Sequence, residues 1–588
     1  MGSTKEMDAA WVAQIGLVAM VGALVAVAVR SFEHMAEWLL EMGYTHLPEG
    51  MLHLGLPSWA AFLVFPAAIG LAVAAVKRTI PGRDRGHSVP LVIVALTKRN
   101  GVITPATTLL KSLGAMLMLG AGGSLGREGP VALLGAGIGS ALGQLFHLRV
   151  SGMNTLVAAG AGAAIATAFH APMTGAFFVM EIVLIAWGAQ MFAMSALAGM
   201  VAVQVSGLLS AGPLLPMPAF QFGSKWEIAL YIGLGLAITP LARLYIAVLE
   251  NSGHVGNRSA LPDWAKPALG GLLFGAVAIV LPQTLGGGFG TISATLTGKL
   301  SLGLLLLLCV AKLVTIGLTN GSGWPGGVFA PALFLGACAG GAYGALASFL
   351  LPGVVTSPGA YAVAGMAAMI AGATHAPLTA MALAFELTQD YRITLLAMLA
   401  CGIAAIFSER LSRYSVDTVH LPQEGIVLPW QVQDLRSIRI ADAMSTSVHT
   451  VPPGVSLRDV LDRMEQCRHV GYPVVDDLGR LTGMITLGDI RDVPPERRRE
   501  TPVASVMSSA LATLTPDDSL ADAALLLARQ GIGRIPIVSG GDPTQLVGLI
   551  SRSDILKAYP AAEAVQAEPP MEQVHLPKLA DYGIEYWW

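Results

Sequence analysis

The chain has 588 residues, of which 54% are hydrophobic and only 12% are charged, and its formal net charge is −3. Because soluble domains average about 25% charged residues, this composition excludes a soluble globular protein or a disordered chain for most of the length. The slightly negative charge also argues against a nucleic-acid partner, which would select a basic face. Charged residues are concentrated after Glu424, which predicts a membrane-embedded region followed by a soluble C-terminal region.

Apolar segments separated by glycine and proline fill the first 425 or so residues, which predicts an all-α protein that crosses a lipid bilayer many times. Several segments are shorter than the roughly 20 residues that span a hydrocarbon core. Broken helices are tolerated at that depth where they line a cavity or are buried in protein. A polar stretch, 251–264, is predicted to be a loop. The predicted helices are 11–40, 58–76, 104–119, 130–146, 154–169, 172–187, 191–209, 226–250, 265–281, 301–318, 328–350, 360–373, 377–387 and 391–408.

Basic residues predict how the chain lies in the membrane. They cluster between the second and third segments and again after the last one, and the positive-inside rule places both clusters in the cytoplasm. The soluble region follows the second cluster, so it is also expected in the cytoplasm, with the chain in the cell (inner) membrane. The basic residues are Lys77, Arg78, Arg83, Arg85, Arg410 and Arg413.

The membrane region repeats itself. Residues 156–181 resemble residues 361–386, and both copies contain His-Ala-Pro followed nine residues later by glutamate, Glu181 or Glu386. The two halves are predicted at about 10–250 and 264–420. Two related halves with a site at their interface are typical of transporters. The matching His170 and His375 are expected to cap or pack, since no second ligand is spaced for a metal.

The soluble region also contains two related units, 437–495 and 500–560. Each predicts an α/β unit in which one helix accompanies short β-branched strands. The last stretch, 561–588, has little periodic pattern and is treated as a tail.

The stretch GREGP at residues 126–130 carries the most chemical information. Pro130 suits the first turn of a helix, and the glycines before it free the backbone. A helix N-terminus attracts anions, and the Glu128 carboxylate would occupy that position itself as a tethered anion. Protonating or displacing Glu128 would then admit a free anion. The alternative is that Glu128 only caps its helix and pairs with Arg127.

Two further stretches have the same design, GGVFAP at 326–331 and GHSVP at 86–90. Three helix starts converging on one point would hold a dehydrated anion without a fixed full charge that traps it. Each dipole contributes about 0.3–2 kcal/mol, depending on its burial.

Together these motifs resemble the CLC family of chloride channels and proton-coupled exchangers, over roughly residues 10–420. The resemblance implies a homodimer in membrane lipid, in which each subunit has its own pore built from inverted halves with broken helices. It implies chloride as the bound ion and no required cofactor, with Glu128 as the external gate. The other residues that it implies along the anion path are Arg127, Gly129, His87, Ser88, Val328, Phe329 and Tyr414.

Two departures from the family pattern leave the details open. His87 stands where the family usually has a coordinating serine, and Ser88 falls one place later, so the preference among chloride, nitrate and other halides is open. Ile182 aligns with the internal proton acceptor of the exchangers, and Glu181 precedes it. Glu181 either is structural, like Glu386, or continues a proton path from Glu128. The lost acceptor favours a passive channel, with a proton/chloride antiporter as the alternative.

The soluble region resembles a pair of CBS domains, which implies that Asp489 and Asp554 lie where the ribose of an adenine nucleotide is held. A dimerising domain without a ligand is the equal alternative. The sequence contains neither HExxH nor a phosphate-binding GxxxxGK[ST] loop, so a membrane metalloprotease or an ATP-driven pump is not supported, and no enzyme activity is expected.

Overall fold

The computed structural model describes residues 2–558 except 82–83, 85, 210–214, 216–223, 356, 423–425, 427–434, 437, 468–469 and 492. Arg83, Arg85 and the predicted tail 561–588 therefore lie outside the described residues. The chain divides into two units, Met1–Ile426 and Val427–Trp588.

The first half of the membrane unit is helical throughout its described part. One π-helical turn, Met42–His46, joins α1 to α2, and another, Val179–Val183, extends α8. The helices are α1 (Gly2–Glu41), α2 (Leu47–His53), α3 (Ala61–Thr79), α4 (Ser88–Lys98), α5 (Pro105–Gly120), α6 (Glu128–Leu145), α7 (Val150–Phe169), α8 (Pro172–Phe178), α9 (Ala189–Leu209) and α10 (Glu227–Arg258).

The second half continues with seven helices within the described residues. Across both halves, eight described helical segments are long and apolar enough to span a membrane, whereas α4, α8, α11 and α16 are apolar but shorter. The helices of the second half are α11 (Ala265–Val280), α12 (Phe289–Leu296), α13 (Leu302–Gly321), α14 (Phe329–Leu350), α15 (Pro358–Thr374), α16 (Pro377–Thr388) and α17 (Tyr391–Leu411).

The prediction of a loop from residue 251 was partly wrong, because α10 runs on to Arg258. This polar end of α10 packs on α13, where Gly256 lies directly against the carbonyl of Gly321. Only glycine permits such a close approach of two backbones. Packing thus extends the helix through residues whose composition is typical of a loop.

The two halves bury their central helices in the same way. Helices α6 and α7 cross where a Cβ added at Gly135 would overlap the carbonyl oxygen of Gly160. In the second half, α14 and α15 cross where Gly336 meets the carbonyl of Gly365. Close backbone contact at small residues is a standard way for membrane helices to pack.

Matching turns follow these central helices. Helix α7 ends at His170 and α15 ends at His375, both in the left-handed conformation with φ of 55° and 56°. Each turn leads through alanine to a proline that begins the next short helix, α8 or α16. The internal repeat seen in the sequence is therefore a structural repeat.

The C-terminal unit contains two α/β subdomains with the expected pattern. Strands β1 (Gly471–Val475) and β2 (Leu481–Thr486) form one antiparallel pair, and β3 (Arg534–Ser539) and β4 (Asp542–Ser551) form the other. Isolated β-bridges connect the two subdomains, since Ser445 pairs with Leu549 and Ser508 pairs with Met484. The helices are α18 (Leu457–Cys467), α19 (Leu487–Arg491), α20 (Leu520–Gln530) and α21 (Arg552–Ala558).

Candidate functional site

The two glycine motifs of the membrane unit pair directly with each other. The Gly126 N–H donates to the Gly327 carbonyl at 2.7 Å, and the Gly327 N–H donates to the Gly126 carbonyl at 2.6 Å. A Cβ on Gly327 would lie only 2.7 Å from the Gly129 nitrogen, so this position has room only for glycine. The pairing brings the N-termini of α6 and α14, one from each half, to the same point.

The Glu128 carboxylate occupies this point. Its Oε2 accepts a hydrogen bond from the Ala330 N–H at 3.2 Å, in the first turn of α14. The residue is 1% exposed, and its Oε1 has no hydrogen-bond partner among the described residues. Glu128 thus lies as a tethered anion at the N-terminus of a helix from the other half of the repeat.

A small cavity of about 20 Å³, here called the central cavity, lies beside Glu128. It contains six of the residues that the sequence singled out, and it adds Asp417. Val328 is held by Tyr245, whose hydroxyl donates to the Val328 carbonyl at 2.5 Å. The charged, polar and motif residues that line the central cavity are His87, Ser88, Glu128, Gly129, Gly326, Gly327, Val328, Phe329 and Asp417.

The role of Tyr414 on the anion path stays a prediction, and the described residues of its segment that line this small cavity are Val416 and Asp417. After α17 ends, the Val416 N–H donates to the Ala373 carbonyl at 3.1 Å, which brings Val416 and Asp417 to the cavity wall. The hydroxyl of Ser412 instead donates to the Tyr414 carbonyl at 2.8 Å. The same segment therefore places an acid, Asp417, on the cavity wall three residues after Tyr414.

A larger cavity of about 360 Å³, here called the vestibule, shares His87, Ser88, Pro90 and Gly326 with the central cavity. The rings of His87 and His420 stack at 5.3 Å where the two cavities share their lining. Lys77 belongs to the basic cluster that marks the cytoplasmic side, so the vestibule lies toward that side. The charged or titratable residues that line it are Lys77, His87, Arg99, Lys111, Glu250, His254 and His420. Three of these, Lys77, Arg99 and Lys111, have basic side chains, against one acid, Glu250, which favours the entry of an anion.

One interpretation of the sequence paired Arg127 with Glu128, but the structure pairs Arg127 with another acid. Its Nη1 lies 2.8 Å from Glu33 Oε1, and its Nη2 donates to the Ala168 carbonyl at 3.0 Å. Glu33 also pairs with Arg30 at 2.7 Å, and Arg30 in turn contacts Nε2 of His170. The sequence analysis missed Arg30 and Glu33, although two charges inside the apolar α1 were the signal for them.

Glu181 and Glu386 form a reciprocal pair of helix caps. Both oxygens of Glu181 accept backbone N–H groups at the start of α16, from Leu378 at 3.0 Å and Thr379 at 2.7 Å. Both oxygens of Glu386 accept the equivalent groups at the start of α8, from Met173 and Thr174, each at 2.8 Å. Glu181 lines neither cavity, so the structure gives it the capping role and does not join it to Glu128.

In the C-terminal unit, Asp489 and Asp554 also have capping partners. Asp489 Oδ2 accepts the Thr486 N–H at 2.8 Å, and Asp554 Oδ2 accepts the Ser551 N–H at 2.8 Å. Each carboxylate makes these bonds with Oδ2, which leaves Oδ1 for another donor. Burial lowers the pKa of the Arg534 guanidinium, and the nearby Asp554 carboxylate opposes that shift. A cation therefore stands beside Asp554.

The relatives found by comparison with known proteins agree with one another. A family model for the voltage gated chloride channel matches residues 67–409, and a CBS domain model matches residues 440–496 and 503–561. A ClcB-like chloride channel protein of Ralstonia nicotianae is 33% identical over 427 residues, which covers 69% of this chain and 98% of the relative. The H(+)/Cl(−) exchange transporter ClcA of Salmonella agona is 28% identical and covers 69% of this chain and 87% of its own length. The crystal structure of a eukaryotic CLC transporter covers 92% of this chain and 97% of its own, with a TM-score of 0.71 at 20% identity.

Proposed function

Since the chain belongs to the voltage-gated chloride channel family, as an anion-transport protein of the membrane with a cytoplasmic pair of CBS domains, we propose that it carries chloride or a similar small anion through the vestibule and the central cavity, with Glu128 as the gate. We further propose that it acts as a homodimer in membrane lipid, with one such pathway in each subunit.

The position of Glu128 carries this proposal. A carboxylate at the N-terminus of α14 makes the interactions that a free anion would make there, because backbone N–H groups and the helix dipole favour negative charge. Among the described residues, neither lysine nor arginine lines the central cavity. Moderate attraction by dipoles lets an ion leave as well as enter, which conduction requires.

Two modes of transport fit a Glu128 gate, and passive conduction is the first. Glu181 is held in a helix cap by Leu378 and Thr379, which supports a structural role and leaves Ile182 at the place of the exchangers' internal acceptor. Proton/anion exchange is the second candidate. It is favoured by a different acid, Asp417, on the wall of the central cavity.

A liposome experiment tests the proposed function and separates the two modes. Protein in vesicles under a chloride gradient is expected to release chloride, and Glu128→Ala is expected to release it at least as fast because the tethered rival is gone. Glu37 is exposed on α1, so Glu37→Ala serves as the matched control and should behave as wild type. Simultaneous recording of external pH shows whether protons move uphill.

The outcomes are distinct. Uphill proton movement that disappears in Glu128→Ala would replace the channel by the exchanger. A flux far above about 10⁴–10⁵ ions per second per subunit would exclude exchange, because alternating gating steps take microseconds to milliseconds. Absence of any anion flux in both proteins would contradict the proposal. Competition by nitrate, bromide and iodide in the same assay, with His87→Ser as a variant, tests whether His87 sets the selectivity.

For the C-terminal unit we propose that an adenine nucleotide binds beside Asp489 and Asp554, and that it regulates transport. The free Oδ1 atoms can accept ribose hydroxyls, and Arg534 can face phosphate. Calorimetry on the full chain is expected to detect ATP at millimolar concentration, and Asp554→Ala should weaken binding about tenfold, or about 1.4 kcal/mol. Asp522 makes the same kind of cap on α20, so Asp522→Ala is the control that should retain the affinity. No binding heat for the full chain would leave a ligand-free dimerising domain.

A further inference from the structure

We propose that Asp417 is a second acid of the anion pathway, which has to be neutral whenever an anion occupies the central cavity. The inference rests on the proposed function and adds to it a second acid on the wall of the central cavity. It concerns anion occupancy, so it holds for passive conduction and for exchange alike.

Asp417 and Glu128 line the same cavity of about 20 Å³. Both residues are buried, at 5% and 1% exposed. Glu128 Oε1 is a buried atom without a hydrogen-bond partner among the described residues. No hydrogen bond or ion pair of the Asp417 carboxyl is found among the described residues either, and this side chain lies on the cavity wall. Buried carboxyl groups normally have such partners, so two unpartnered ones on one cavity point to a transient partner, such as a proton or a bound solute.

The loop that carries Asp417 is held in place. The Ser415 N–H donates to the Thr418 hydroxyl at 2.9 Å, and the Ser415 and Thr418 hydroxyls lie 3.1 Å apart. The Val416 N–H donates to the Ala373 carbonyl at the end of α15. These bonds fix the backbone beside Asp417, so its side chain, which is one methylene shorter than that of Glu128, can move less far from the cavity wall.

The charges in the central cavity decide when Asp417 must be neutral. An anion in the central cavity beside two carboxylates would bring three negative charges together, with no lysine or arginine among the described residues of the cavity wall. The helix N-termini favour one anion, and burial makes the repulsion between like charges strong. The anion can displace Glu128, whereas Asp417 can move less far. Asp417 therefore takes up a proton before the anion is held and releases that proton when the anion leaves.

The groups around Asp417 give that proton a route. Glu128 faces it from α6, His87 from the start of α4, and Tyr245 from α10, where both carboxyl groups act on the tyrosine electrostatically. On its own segment, His420 stacks on His87, and both line the vestibule. An imidazole can accept and pass on a proton, and His87 lines both the vestibule and the central cavity. Protons therefore reach Asp417 from the vestibule.

The test removes the first acid in order to expose the second. In liposomes that contain Glu128→Ala, anion flux is expected to rise as the vestibule-side pH falls from about 8 to about 5, by up to about tenfold per pH unit for one proton. The double variant Glu128→Ala/Asp417→Asn is expected to carry a high flux that no longer changes with pH. Glu128→Ala/Glu37→Ala is the matched control, since Glu37 is exposed on α1 and lines neither cavity, and its pH dependence should equal that of Glu128→Ala.

Each outcome has one meaning. If the double variant keeps the pH profile of Glu128→Ala, the inference about Asp417 is wrong. If Glu128→Ala carries no anion at any pH, the proposed function is wrong, and the inference about Asp417 falls with it. Should the asparagine variant not survive purification, Asp417→Ser gives the same loss of charge. Calorimetry of chloride binding at neutral pH is the second readout, in which loss of Asp417 should tighten binding about tenfold and unchanged affinity would contradict the inference.

Discussion

Replacing Glu33 by alanine is expected to lower the free energy of unfolding by about 3–5 kcal/mol. Glu33 is 5% exposed and pairs with two arginines, Arg30 at 2.7 Å and Arg127 at 2.8 Å. Removing it leaves two guanidinium groups in an apolar environment with no carboxylate between them. Breaking a buried pair from one side costs far more than the pair contributes, because the remaining charge is uncompensated.

The matched control for this prediction is on the same helix. Glu37 lies one turn further along α1 and is exposed, so Glu37→Ala should change stability by less than about 0.5 kcal/mol. Thermal unfolding of the purified protein in detergent, followed by loss of the monodisperse peak, measures both variants. Equal stability of the two would show that Arg30 and Arg127 do not depend on Glu33.

The architecture followed from the sequence because its signals are local. Apolar length, glycine before proline and the repeated His-Ala-Pro turn each report on a few neighbouring residues, and the order of the helices agreed with them. The motif glycines also predicted Glu128 at a helix N-terminus. They did not predict that its acceptor would be the N–H of Ala330 in the other half, since that contact depends on how the two repeats meet.

The site residues that the sequence missed depend on long-range geometry. Glu33 pairs with Arg127 across 94 positions, and no periodicity encodes such a partner. Asp417 was not expected at the central cavity, and the turn after α17 that places it there is fixed by Ser415, Thr418 and the Ala373 carbonyl. Those bonds decide which side chain faces the cavity. The available signal for Asp417 was an acid close to a serine and a threonine, Ser415 and Thr418, just after the last membrane helix.

The reciprocal caps at Glu181 and Glu386 allow a second strong prediction. Each carboxylate accepts two backbone N–H groups and a threonine hydroxyl of the other short helix, Thr379 Oγ1 for Glu181 and Thr174 Oγ1 for Glu386. Charge-assisted hydrogen bonds of this kind are stronger than neutral ones. Glu181→Ala and Glu386→Ala should each therefore lower the free energy of unfolding by about 2–3 kcal/mol. Thermal unfolding in detergent measures both.

The pair is also an internal control for transport. If both acids only cap, Glu181→Gln and Glu386→Gln should alter stability alike and leave the response of anion flux to pH as in wild type. A proton acceptor at Glu181 predicts an asymmetry, in which Glu181→Gln changes proton movement and Glu386→Gln does not. Because α8 and α16 hold each other through these two carboxylates, the double alanine variant should cost less than the two single variants added together. An additive loss would mean that the caps act as separate contacts. The two carboxylates would then not act together to hold α8 and α16 to each other.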